Sequence, residues 1–469
     1  MTKSERIKYF DSIAAERKYW RQKGAYYHGE LEKYLQFVIP PESSVIEIGC
    51  GTGELLASLK PKRGLGIDIS PKMVELAQRQ FPDLQFEVGD LENLQTEEKF
   101  DYVLAVETIG HVDDIQMAFK QLHKVCKPET RVVIVYYNYL WEPFLKLAQM
   151  MRLRMKQPLQ HWLPLEHIAN LLYLNDFEVI KKGYRLLMPI YIPLLSAFVN
   201  KFVANLPFFW KLSVNQILIA RPLLTRKKPE DITCSVIIPC RNEKGNIEQA
   251  VLRTAGLGAK TEIIFVEGHS QDGTLEECER VQKQYPGRDI TVTVQDGRGK
   301  YDAVKKGFDL AKNDILMILD ADLTVPPEDL PKFLETLVSG KGEFVNGTRL
   351  VYQMENQAMR FLNLLGNKFF SRAFTYILEQ RISDTLCGTK VLWKNDYERI
   401  KVGRKYFGDF DPFGDFDLIF GAAKLNLKIM EIPIRYRERS YGTTQISRFR
   451  HGLLLFRMTF VGLARIKLR

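Results

Sequence analysis

Residues 45–60 read VIEIGCGTGELLASLK. An apolar, β-branched run ends in Gly49, Gly51 and Gly53, and an amphipathic stretch follows. This is a strand, a tight turn and a helix start. Glycine there lets the backbone take positive φ and lets a ligand approach closely. The spacing differs from the GxGxxG turn that receives a pyrophosphate, and an acid, Glu47, sits inside the strand. A carboxylate repels a pyrophosphate but attracts an ammonium or sulfonium group.

Downstream, GLGID, QFEVG, YVLAV and VVIVY read as strands, PKMVELAQRQF and DIQMAFKQLHKV as helices, and NQILIARPL as a closing strand. Such alternation predicts a parallel sheet covered by helices. The second strand ends in Asp68, placed to accept hydrogen bonds from ribose hydroxyls. Asp90 ends the third, where it can accept from an adenine amino group. Glu107 and His111 follow the fourth. His111 is a candidate base, because imidazole titrates near neutral pH. Alternatively it packs on the donor or caps the helix near Asp113.

A charged, proline-containing stretch, TRKKPED (225–231), marks a linker between a domain of residues 1–224 and one of residues 232–469. Alternation resumes beyond it. CSVIIPC, EIIFVEG, ITVTVQDG, ILMILDAD and EFVNGTRL read as strands, and four amphipathic stretches between them as helices. The expected class is α/β: two Rossmann-like, doubly wound domains.

ILMILDADLTVPPEDL (315–330) brings Asp320 and Asp322 to the end of an apolar strand. At alternate strand positions both would share one face. Two such carboxylates favour a cation between them, and hard oxygens suit Mg2+ or Mn2+ carrying substrate phosphates. Pro239, Asn242 and Glu243 end the first strand of this half, Glu267 ends the second, and Asp272 follows in its turn. Gly297, Arg298, Gly299 and Lys300 form a basic glycine turn before a helix, suited to a diphosphate. All of these strand ends would meet in one crevice.

On Glu47, the three glycines, Asp68, Asp90 and FDYVLAVETIGHVDD, residues from about 20 to 224 resemble a class I S-adenosylmethionine-dependent methyltransferase. The resemblance implies a seven-stranded sheet with a reversed last strand, supplied by NQILIARPL, and S-adenosylmethionine bound at the strand carboxyl ends. Residues 232–469 resemble family 2 glycosyltransferases of the GT-A fold, especially the polyprenyl-phosphate sugar synthases. That resemblance implies metal binding by Asp320 and Asp322, and nucleotide contacts from Pro239, Glu243 and Glu267. It also implies cations at Arg349 and Arg439, an acceptor loop with Asp384 and Gly388, and an acidic pair, Asp415 and Asp417, as base candidates. Gly442 belongs to the basic closing segment. Three departures stand out: Gly268 and Gln445 replace the usual acid and lysine, and Arg241 replaces a tyrosine.

The resulting reading is a bifunctional enzyme. It would transfer methyl from S-adenosylmethionine, and a sugar, with inversion, from a nucleotide-sugar to a lipid phosphate or glycan. Both steps would serve one glycan pathway such as cell-envelope polysaccharide synthesis. A glycosyltransferase with a regulatory S-adenosylmethionine-binding domain is the second reading, and a nucleic-acid-binding protein the third. A nucleic-acid partner is not expected, because RKYWRQKGAYYH (17–28) reads more simply as a helix covering the donor.

Of 469 residues 45% are hydrophobic and 26% charged, which excludes disordered, collagen-like and polytopic membrane chains. Six scattered cysteines make no CxxC pair, and the N-terminus has no signal-type apolar core, so a reducing cytoplasm is expected. The formal charge is +10. The last 35 residues hold nine basic residues and one acid. Apolar residues at 453, 454, 456, 460, 461 and 463 cluster by helical spacing. Peripheral docking on an anionic membrane surface is expected from this segment.

Overall fold

The computed structural model describes the chain apart from residues 1, 159, 350, 352–360, 408–413, 438, 440, 442–447 and 469, and the side chains of 361–365, 367 and 448–452. Gly442 and Gln445 therefore lie outside the described residues. The chain folds as two compact units, Met1–Leu224 and Thr225–Lys467.

The first unit holds β1 (Ser44–Ile48), β2 (Arg63–Asp68), β3 (Gln85–Val88), β4 (Phe100–Val106), β5 (Cys126–Tyr137), β6 (Phe177–Arg185) and β7 (Asn215–Pro222). They form one sheet in the order β3-β2-β1-β4-β5-β7-β6. The first five are parallel, and β7 runs antiparallel between β5 and β6. NQILIARPL is thus the reversed strand. Both faces are covered. Ile46, Ile48 and Val103 pack on one side, Val45, Tyr102 and Leu104 on the other. Burial on both faces is why these strands read as continuous apolar runs. ELLASLK is helical only over Glu54–Ser58, because Lys60 takes positive φ (50°) and Pro61 follows. RKYWRQKGAYYH contributes to two helices, Arg17–Lys23 and Ala25–Val38.

The second unit holds β8 (Thr233–Cys240), β9 (Lys260–Glu267), β10 (Asp289–Val294), β11 (Ile315–Ile318), β12 (Phe344–Thr348), β13 (Lys390–Trp393) and β14 (Ile429–Pro433), in the order β10-β9-β8-β11-β13-β12-β14. Only β13 is antiparallel to its neighbours, β11 and β12. This is again a doubly wound sheet with one reversed strand. β13 and β14 extend beyond the predicted strands.

The C-terminal helix Arg448–Gly462 runs on into a wide turn, Leu463–Lys467. Leu455, Met458 and Ile466 join the core, while Leu453, Phe456 and Phe460 stay exposed. The predicted apolar face is therefore divided between core and surface. Among the described residues no helix is long and apolar enough to cross a membrane. All six cysteines are buried and free.

Two candidate active sites

In the first unit a cavity of about 110 Å³ opens at the carboxyl ends of β1, β2 and β4, lined by Gly49, Gly51, Asp68, Asp90, Glu107 and His111 among others. All three glycines of the turn take positive φ. At Gly49 and Gly53 a side chain would collide with Thr108 and Phe86 respectively. At Gly51 nothing lies closer than the Arg17 side chain at 3.7 Å, so glycine there leaves open space over the turn.

Asp68 is buried, and its Oδ2 and Oδ1 accept from the amides of Gly51 (2.8 Å) and Ser70 (2.9 Å). It braces the glycine turn while keeping one further lone pair per oxygen toward the cavity. Asp90 lies two residues beyond β3. It accepts from Lys3 Nζ (2.5 Å) and the Glu92 amide (3.0 Å). Glu47 is buried in mid-strand, with Oε2 lacking a hydrogen-bond partner among the described residues. Burial pushes its carboxyl up to about 8, against the opposing pull of Arg21. An uncompensated buried carboxyl is costly, so Glu47 fits a cationic ligand group. Open space over Gly51 and the unpartnered Oε2 of Glu47 together fit a methionine-like ammonium beside a nucleoside.

Beyond these residues lies a second polar cluster. Burial would raise the Glu107 carboxyl, but Arg154, His28 and the Tyr137 and Tyr27 hydroxyls outweigh it and hold it below its ordinary range. Tyr27 donates to Glu107 Oε1 at 2.7 Å. Burial pushes His111 down to about 4, so its ring is neutral at physiological pH. Its Nδ1 lacks a partner among the described residues, and its ring packs edge-on against Phe10. The helix after it is capped by Asp114, while Asp113 binds Arg6 through both carboxylate oxygens (2.6 Å each). Two residues here escape sequence reasoning. Arg154 lies over the Tyr137 ring (4.5 Å), and the Gln160 side chain lines the cavity. The Arg154 Nη atoms and Gln160 Nε2 are buried without hydrogen-bond partners among the described residues. Neither stands in a motif, so no sequence signal marks them.

In the second unit β11 ends at Ile318, so Asp320 and Asp322 lie in the turn beyond the strand and strand alternation does not orient them. Each carboxylate meets its own cation instead. Lys300 Nζ donates to Asp320 Oδ1 (2.5 Å), and Arg439 Nη2 lies 2.6 Å from Asp322 Oδ2. Burial alone would lower the Lys300 ammonium, but Asp320, Asp415 and Asp322 raise it. A side chain at Gly388 would run into both Asp320 and Lys300, so the acceptor-loop segment closes directly over them.

The nucleotide-side residues brace one another. Asn242, at positive φ (55°), accepts from the Gln271 amide (2.9 Å). Glu243 accepts from Asn246 (2.7 Å), lies 3.6 Å from Arg439, and is pushed up to about 6 by burial. Glu267 accepts from the amides of His269 (3.1 Å) and Ser270 (2.6 Å). Pro239 pairs in register with Val266 near the end of β8. Arg298 stands exposed in the glycine turn.

Three predicted site residues are held in ion pairs. Arg349 is not a free phosphate cation, because it grips buried Asp384 through Nε (2.7 Å) and Nη2 (2.8 Å). Asp415 is bound by the fully buried Lys390 (2.6 Å), and Asp417 by Arg404 (2.8 Å). Each pair engages one oxygen of its carboxylate. Lys390 escaped sequence reasoning, although a lysine inside the apolar run CGTKVLW was its signal.

Among the described residues no group of three or more His, Cys, Asp or Glu side chains stands ready to hold a metal. Asp320 and Asp322 supply hard oxygen ligands but too few for a cage. They fit a divalent cation that shares its coordination with a substrate diphosphate.

Comparison with known proteins agrees with both units. The family model described as "Methyltransferase domain" matches residues 19–182, and "Glycosyl transferase family 2" matches residues 235–400. The second unit is similar to the dolichol-phosphate mannosyltransferase of Saccharomyces cerevisiae, at 43% identity over 23% of this chain and 41% of that protein. It is also similar to the undecaprenyl-phosphate 4-deoxy-4-formamido-L-arabinose transferase of Edwardsiella ictaluri, at 31% identity over 45% of this chain and 62% of that protein. The chain spans less than half the length of the mannosyltransferases it matches. Among solved structures it is similar to a magnesium protoporphyrin IX methyltransferase from Synechocystis PCC 6803, at 18% identity and a TM-score of 0.36, over 47% of this chain and 100% of that one.

Proposed function

From a chain that joins a methyltransferase domain to a family 2 glycosyltransferase domain, we infer two group transfers. The first unit takes S-adenosylmethionine as methyl donor. Glu47 would face its ammonium group, Gly51 would leave room for its close approach over a turn shaped by Gly49 and Gly53, and Asp68 and Asp90 would accept from the ribose and the adenine. The sulfonium is an activated donor, so the protein supplies chiefly alignment. His111, pushed down to about 4 by burial, would be a weak base at neutral pH and would instead orient the methyl acceptor through its unpartnered Nδ1.

The second unit transfers a sugar from a nucleotide-sugar to a lipid phosphate, with inversion. One observation carries the choice of acceptor: both carboxylates available as general base, Asp415 and Asp417, are held by cations. A sugar hydroxyl needs a base, whereas a phosphate is already ionised. Lys300 and Arg439 would steer the diphosphate and the incoming phosphate, beside Asp320 and Asp322. A bound Mg2+ or Mn2+ would neutralise the leaving diphosphate. Pro239, Asn242, Glu243 and Glu267 would hold the nucleotide, with Arg298 at the rim. The basic C-terminal segment would hold the enzyme at an anionic membrane surface, where such acceptors reside.

The test is calorimetric titration of the full chain with S-adenosylmethionine, then with UDP and GDP in the presence of Mn2+. Sugar transfer to a polyprenyl phosphate and to a neutral glycan is assayed next. Transfer to the neutral glycan alone would overturn the acceptor assignment. Donor binding without methyl transfer to any glycan or lipid-glycan would make the first unit regulatory.

A further inference from the structure

We propose that the methyltransferase unit carries its own lipid-docking platform, built from residues 139–153 and 190–212, which seats it on an anionic bilayer beside its cavity.

The platform reverses the usual polarity of a surface. The helix Glu142–Met150 has no buried residue, and Phe144, Leu147, Met150 and Met151 project from it at helical spacing into solvent. In Leu195–Lys201 the one buried residue is Ser196, while Leu195, Phe198 and, just beyond, Phe202 are exposed. Ile190, Tyr191, Leu194, Leu206 and Phe208 extend the exposed apolar face. The two segments adjoin, because Trp141 Nε1 donates to the Leu212 carbonyl (2.7 Å) and Asn138 Nδ2 to that of Lys211 (2.8 Å). So large a run of outward aromatic and aliphatic side chains marks an interaction surface.

Two observations select lipid as the partner. First, the polar side chains of the platform turn inward and satisfy its own backbone. Ser196 Oγ accepts from the Ile192 amide (2.6 Å) and donates to the Ile190 carbonyl (2.7 Å). Asn200 takes the Met188 amide (2.8 Å) and donates to the Met188 carbonyl (2.9 Å), and Asn205 donates to the Lys201 carbonyl (2.9 Å). Internal satisfaction of backbone groups is what contact with hydrocarbon demands. Second, the charge is one-sided. Between Glu178 and Glu230 the chain has no acidic residue, and Lys201 and Lys211 stand exposed in the platform. In residues 139–156 the sole acid, Glu142, is neutralised by Lys146 (2.6 Å), leaving Arg152 and Lys156 exposed. Apolar insertion with a cationic rim is the pattern of an interfacial protein on anionic lipid.

The platform also adjoins the cavity. Tyr191 packs on Tyr26 (5.5 Å between rings) and Asn200 Nδ2 donates to the Tyr26 hydroxyl (3.0 Å). The next residue, Tyr27, reaches Glu107 in the cavity wall. A methyl acceptor carried on a lipid would thus enter from the membrane side. That last step rests on the methyltransferase reading, whereas the docking does not.

The experiment is flotation of the full chain with vesicles of equimolar phosphatidylcholine and phosphatidylglycerol. To isolate the platform, Leu453, Phe456 and Phe460 of the C-terminal helix are first replaced by Ser. Vesicle binding should persist in this protein. Adding Phe144→Glu, Phe198→Glu and Phe208→Glu should lower partitioning by roughly a thousandfold or more, the loss of three inserted apolar side chains. Heats of S-adenosylmethionine binding, measured on the same proteins, separate the outcomes. An unchanged heat with lost flotation supports the platform. If S-adenosylmethionine never binds, the methyltransferase reading fails while the flotation result still stands. Flotation that survives the three glutamates overturns the proposal. So does a dimer in sedimentation that the glutamates dissociate without any vesicle binding, since the face would then serve a second copy of the chain.

Discussion

Arg439 lies 2.6 Å from Asp322 through its Nη2, and Lys300 donates to Asp320 at 2.5 Å, so each acid of the DAD turn is already neutralised by a side chain. A divalent cation entering with a diphosphate would exchange places with these cations, which would then turn toward the phosphates. Asp322→Ala should therefore abolish metal-dependent nucleotide binding and sugar transfer while S-adenosylmethionine binding is unchanged. Arg439→Ala should weaken nucleotide-sugar binding yet tighten Mn2+ binding measured without nucleotide. Unaltered transfer by Asp322→Ala would remove the turn from the mechanism.

Asp68 serves two masters, the Gly51 and Ser70 amides and the cavity. Asp68→Ala should weaken S-adenosylmethionine binding by about 1–3 kcal/mol, the loss of charge-assisted hydrogen bonds. Nucleotide-sugar binding should stay as it is. Calorimetry of both ligands reads this directly, and an affinity for S-adenosylmethionine equal to wild type would confine Asp68 to bracing the turn.

Beside the donor's ammonium, Glu47 would make donor binding proton-linked. With its carboxyl raised to about 8 by burial, most molecules carry that proton at neutral pH. A cationic group bound beside it favours the carboxylate, so binding expels the proton. The observed binding enthalpy should then vary with the ionisation enthalpy of the buffer, and Glu47→Gln should remove the dependence. Stability should follow the same group. Its folded value lies above the ordinary 4.5, so between about 4.5 and 8 the folded state holds more protons than the unfolded one. Glu47 therefore contributes stability that falls as pH rises through this window, and Glu47→Gln should flatten that slope in urea melts.

Asp415 and Lys390 form a buried pair in which the ammonium is fully enclosed. Asp415→Asn strands that charge and should cost roughly 3–5 kcal/mol, whereas Asp415→Asn with Lys390→Met should recover much of it. Thermal melts of the two variants distinguish a structural pair from a catalytic one. If the double variant regains stability but not sugar transfer, the carboxylate has a role in the reaction as well.

Positions at strand ends were legible. Asp68, Asp320 and Glu243 lie at or just past apolar runs, and within each unit the sheet order carries such positions to one edge. What escaped was set by tertiary pairing. β13 is four residues long and β14 carries Glu431, so neither has a length or alternation that separates it from loop. The DAD carboxylates lie beyond β11, where their directions follow from Lys300 and Arg439, residues distant in sequence. Arg349 looked free because its partner, Asp384, belongs to another segment. Arg154 and Gln160 stand in a loop without periodicity, where only packing reveals burial.

The C-terminal helix divides its apolar residues in a way that decides how the proposed membrane role must be tested. Leu455, Met458 and Ile466 are core, so ending the chain at Phe449 would strip the second unit of packed side chains and expose apolar surface. Loss of sugar transfer or aggregation in that shortened chain would report unfolding, not detachment. Leu453, Phe456 and Phe460 instead face outward beside exposed Arg457, and Phe456 rests edge-on against Phe370. Replacing these three by Ser should leave the thermal midpoint nearly unchanged, since exposed positions contribute little to stability. Vesicle affinity should fall by a large factor, because each apolar side chain lifted out of the interface forfeits about 1.5–3 kcal/mol. High salt should weaken wild-type binding too, through screening of Arg457 and its basic neighbours. Equal affinity of the Ser variant and the wild type, with both melting alike, would assign the basic C-terminus to solvent.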